Sequence, residues 1–110
     1  MKVNLTRKLV LEERVNVPDG KGGFAVSWSA LGEHWADVDA RTGREAISGA
    51  RDLSKIRLRI IIRGAPFGSP KRPSPDQRFR EGARVYAILA VSEFDPMGRY
   101  LECWTEEGKE

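Results

Sequence analysis

Residues Lys55–Gly64 read KIRLRIIIRG. Ile56, Leu58, Ile60 and Ile62 alternate with Lys55, Arg57 and Arg59, and Arg63 falls on the charged side after the apolar Ile61. Alternation with a period of two marks a β-strand with one buried face, because successive side chains point to opposite sides. The other face then carries four positive charges, and what lies opposite them is the central question of the sequence.

Working outward, the same period recurs. Lys8–Val17 puts Leu9, Leu11, Val15 and Val17 on one face, interrupted by Glu13. PDGKGG (18–23) is a hairpin loop by its Pro, Asp and Gly content. FAVSW (24–28) resumes the alternation through Phe24, Val26 and Trp28. ALGE (30–33) reads as a short break, and EHWADVDA (33–40) as a further strand with Ala36, Val38 and Ala40 opposite Trp35, Asp37 and Asp39. Arg41–Ser54 has no strand alternation and is expected to be a partly helical excursion, with a short helix over Arg44–Leu53. Gly49 weakens that helix by about 1 kcal/mol relative to Ala. Gly64–Gln77 holds Pro66, Pro70, Pro73 and Pro75 and must be loop. RVYAILAVSEF (84–94) is apolar on both faces in its middle, as a central strand would be. DPMG (95–98) supplies a turn, and RYLECWTEE (99–107) the last strand. The expectation is a mostly β fold: a small six-stranded antiparallel barrel, closed so that no edge is exposed, with a partly helical insertion and a long Pro-rich loop.

The chain has 110 residues, enough for one domain and one modest core. Charged residues make up 32% and hydrophobic residues 40%, a globular composition rather than a disordered one. No apolar run approaches the roughly 20 residues that span a bilayer, and the first fifteen residues lack the apolar stretch of a signal peptide. The net charge of +3 is unevenly spread. Arg41–Arg84 carries twelve basic and four acidic residues, a net of +8, and the remainder seven basic and twelve acidic, a net of −5. Such asymmetry suits an acidic partner for the middle segment, either nucleic acid or the acidic regions of a neighbouring copy.

Catalytic groups are sparse. His34 is the single histidine and Cys103 the single cysteine, so neither a disulfide nor a conventional zinc site can form within one chain. Both sit in strands and are read as structural. Asp37 and Asp39 share a strand face and could hold a divalent cation, but pairing with arginine is the stronger expectation. GKGG lacks the strand–loop–helix setting of a phosphate cradle. No enzyme, cofactor or metal site is indicated.

The order of short motifs resembles the head-tail joining (head closure, or stopper) family of long-tailed phages and gene transfer agents. Trp35, Val38, Gly43, Arg44 and Glu45 match its first part, and Arg63 ends its strand. Arg78, Phe79, Gly82, Tyr86, Ile88 and Val91 match the next part, and Asp95, Gly98, Arg99, Tyr100, Leu101 and Glu102 the close. Thr42 stands where Ser is usual, and the Pro-rich loop is long for the family. The resemblance covers Leu9 to Glu107. It implies a single structural domain that forms a ring of six or twelve copies at the head-tail junction of a virion or phage-like particle, assembled in the host cytoplasm. The implied neighbours are the portal adaptor, a tail terminator or tail tube protein, and packaged double-stranded DNA in the channel, with no membrane. Arg44, Glu45, Arg57, Arg59, Arg63, Lys71 and Arg72 are the residues expected to contact neighbouring copies or DNA. The Pro-rich loop and Arg41–Ser54 are expected to reach to neighbours and to gain order by docking. The alternative is a small-barrel nucleic-acid-binding module, which would stack bases on exposed aromatics beside Lys and Arg.

Overall fold

The computed structural model describes residues 2–40 and 56–108. It contains six strands: β1 (Arg7–Pro18), β2 (Phe24–Ala40), β3 (Ile56–Arg63), β4 (Arg78–Glu81), β5 (Arg84–Glu93) and β6 (Tyr100–Gly108). All neighbours are antiparallel, and they close in the order β1-β2-β3-β6-β5-β4, with β4 pairing back to β1. The expected helix at Arg44–Leu53 lies outside the described residues, and no helix occurs among those described.

The strand count agrees with expectation, but its composition differs at two places. First, Phe24–Ala40 is one strand, not two. Leu11 pairs with Gly32 but Glu12 pairs with Ala30, so Leu31 is an extra residue. The apparent break is therefore a β-bulge inside a continuous strand, made at a glycine with φ of +154°. Second, Arg78–Glu81 is a strand. It has one apolar residue, Phe79, and four residues are too few to show a period, yet pairing to β1 and β5 on either side fixes it.

The opening stretch folds as its alternation demands. Leu58, Ile60 and Ile62 are buried in the core with Leu9, Leu11, Ala36, Phe79, Tyr86, Ile88, Leu101 and Cys103. Ile56, expected on the same face, is partly exposed at the strand end. β5 is less uniformly covered than its apolar sequence suggests. Tyr86 and Ile88 are buried and Val91 packs on the core, but a bulge between Ile88 and Ala90 leaves Leu89 in solvent.

The Pro-rich loop (64–77) is tied to the barrel. Gly64 N–H donates to Arg99 O (2.7 Å), Asp76 N–H and Gln77 O bond to Ile88 O and N–H, and Arg72 donates to Ala65 O (2.8 Å). His34, inside the barrel and edge-on to Phe79, donates from Nε2 to Lys71 O (2.8 Å). Burial lowers the His34 pKa, so the ring stays neutral and the loop is anchored by a neutral donor.

Candidate functional site

The charged outer face of β3 is answered largely from within the chain. In the strand register Arg57 lies opposite Glu106, and Arg59 lies between Asp39 and Trp104. Arg57 Nε approaches Glu106 at 3.7 Å, and Arg59 reaches Asp39 at 3.4 Å and Glu102 at 3.5 Å. Arg59 is largely covered, lies near the Phe94 ring, and keeps its Nε without an acceptor. Asp39 thus pairs with arginine, and Asp37 accepts from the Asn4 N–H. Arg63 is exposed at the strand end.

The other expected contact residues are scattered. Lys71 is exposed, and its side chain packs against Gly32. Arg72 lies flat over Phe67, 3.7 Å from the ring centre. Arg44 and Glu45 lie outside the described residues. The structure gathers Arg57 and Arg59 on one wall and Lys71 and Arg72 on the Pro-rich loop, but not all of them at one site.

Two clusters were not foreseen. In the first, Glu12 is buried outside the core and receives Arg78 Nε and Arg80 Nε, each at 2.8 Å. Burial penalises its charge, but the hydrogen bonds from Arg80 and Arg78 outweigh that, and its pKa is lowered. Arg78 also lies 4.0 Å above the Trp28 ring, and Arg14, Val26, Trp28 and Arg78 line an open cleft of about 470 Å³. In the second, Arg7 donates to both Glu81 oxygens, at 2.6 and 3.0 Å, and the Tyr86 hydroxyl donates to Glu81 at 2.8 Å. Those bonds hold the Glu81 carboxyl down at about 2, while burial and Glu81 push the Tyr86 phenol up to about 12. No periodic signal marks either cluster, because its members come from β1, β2, β4 and β5.

Cys103 is buried, which pushes its thiol up to about 12 and makes it a poor nucleophile. Among the described residues no group of three metal-binding side chains occurs.

The model of the phage head completion protein family matches residues 2–108. The chain belongs to the phage head completion protein family. A solved chain from the virion of a native gene transfer agent particle is 45% identical, with a TM-score of 0.75, covering 100% of this chain and 99% of that one. Protein SF1141 of Shigella flexneri 2a is 23% identical, with a TM-score of 0.66 over 96% of this chain and 95% of that one, which shows a shared fold. No curated protein matches. Membership of a head completion family makes this a structural protein of the virion.

Proposed function

We propose that this head completion protein forms a ring between the portal–adaptor complex and the tail, where it helps retain packaged DNA and offers the surface on which the tail docks. Supporting this is a small closed barrel joined to a long anchored loop and to a hairpin, Glu13–Ser29, whose strands pair beyond the barrel only with each other, in a chain of the head completion family. A closed wall has no edge through which to associate. Projecting elements supply reach instead, and copies joined by two different patches form a ring when the rotation between neighbours closes. The virion origin of the 45% identical chain fits the same role.

Deleting the protein from particle-producing cells tests the proposal. The expected result is full-sized heads without tails, or heads that have lost their DNA. Normal numbers of tailed, filled particles would sink it.

The nucleic-acid module fares less well on geometry. Tyr86 is in the core and one face of Trp28 is covered by Arg78, and the most exposed aromatics, Phe24, Trp35 and Phe67, are spread over the start of β2, its barrel half and the Pro-rich loop. Titration of the protein with DNA at two salt concentrations discriminates. Weak binding that collapses with salt fits a ring around DNA, and tight, salt-resistant binding fits the module.

A further inference from the structure

Beyond the barrel, Glu13–Pro18 and Phe24–Ser29 pair, among the described residues, only with each other. At about 3.4 Å per residue this makes an arm roughly 20 Å long. Its tip is well formed, since Asp19 accepts from the backbone N–H groups of Lys21 (2.8 Å) and Gly23 (3.1 Å). A lone two-stranded ribbon is marginal in water without something packed on it.

The register decides what each face shows. Phe24 lies opposite Pro18, Val26 opposite Asn16 and Trp28 opposite Arg14, all on one face. Phe24 is 71% exposed and Val26 48% exposed. Toward the barrel this apolar face is bordered by the guanidinium groups of Arg14 and Arg78. The outer wall of β5 and β6 is also apolar at its centre, with carboxylates beside it. Ala90 lies opposite Trp104, with the bulged Leu89 beside them, and Leu89 is 46% and Trp104 36% exposed. Glu102 and Glu106 stand two residues either side of Trp104 on the same face of β6. Arg59 and Arg57 approach those carboxylates from β3 only at 3.5 and 3.7 Å.

One face is thus apolar with Arg14 and Arg78 at its barrel end, and the other is apolar with two carboxylates at its border, each held by one β3 arginine only at long range. In the closed strand order, β1 and β2 lie across the barrel from β6 and β5. An arm therefore cannot reach its own wall, but it can reach that of another copy. We propose that the Phe24–Val26–Trp28 face of each arm docks on the Leu89–Trp104 wall of the next copy, with Arg14 facing Glu102 and Glu106. Such a contact is heterologous, and repeated around an axis it closes a ring. This inference rests on the ring reading above and names the surfaces that build it.

The test uses assembled particles carrying Val26→Cys and Leu89→Cys together. On mild oxidation the doubly substituted chain should give a ladder of covalent multimers, and either single variant only monomer. An amine-reactive crosslinker on unsubstituted particles reads the ring independently. An amine ladder without a disulfide ladder overturns the arm contact and leaves the ring standing, and absence of both overturns both. If the cysteine chains fail to enter particles, charge reversal decides. Arg14→Glu should lower tailed-particle yield at least tenfold, and adding Glu106→Lys should recover part of it. A soluble, folded Arg14→Glu protein that supports normal yield overturns the proposal.

Discussion

Glu81 shows how much one side chain can carry without catalytic chemistry. Its two oxygens take up Arg7 and the Tyr86 hydroxyl, so Tyr86 can have its ring in the core and still satisfy its polar end. Because the folded pKa lies near 2, below the ordinary 4.5, its contribution is fully present above pH 4.5 and is lost as pH falls toward 2. Urea unfolding at a series of pH values should show this loss in the unsubstituted protein. Glu81→Gln should be less stable by about 1–2 kcal/mol at pH 7 and should show a flatter profile below pH 4.5. An unchanged profile would assign the acid sensitivity to other carboxylates. Glu12 carries a comparable load, for it is the shared anion of Arg78 and Arg80. Removing it in Glu12→Ala leaves the largely buried Arg78 without its anion, and a loss of about 2 kcal/mol is expected in the same assay.

At the scale of elements, β1 changes surroundings partway along its length. Leu9 and Leu11 face the core, whereas Val15 and Val17 continue the same alternation into the arm. Glu13, which interrupts the pattern in the sequence, stands where the strand leaves the barrel. A period of two shows which residues share a face but not what covers it, so alternation was legible and the arm was not. The Pro-rich loop depends on its first residue. A Cβ at Gly64 would run into the carbonyl oxygen of Gly98, a backbone atom that cannot swing aside. Gly64→Ala should therefore lower stability by about 2–3 kcal/mol in thermal unfolding, in the range of overpacking substitutions. Gly68→Ala meets open space and should cost only about 1 kcal/mol for its φ of +86°. Equal losses would show that the Gly64 contact relaxes freely.

For the whole molecule, the three arginines of β3 separate into two kinds. Arg59 is built into its own barrel, whereas Arg63 is exposed. Arg59→Glu should lower the melting temperature by several degrees, since it sets like charges against Asp39 and Glu102. Arg63→Glu should leave melting unchanged and lower the yield of tailed particles if this end of β3 meets a neighbour. Normal yield would show that Arg63 is merely solvated. The sequence by itself determined the β class, the buried face of β3, the loop character of the proline-rich stretch and the family, because side-chain period, backbone-restricted residues and motif order are local properties that need no partner. Only the tertiary structure decided that two expected strands are one bulged strand, that three charged residues and Phe79 form β4, and that Arg57 and Arg59 already have carboxylates opposite them. Those outcomes depend on which strands lie side by side, and pairing between residues tens of positions apart is set by closure of the whole sheet.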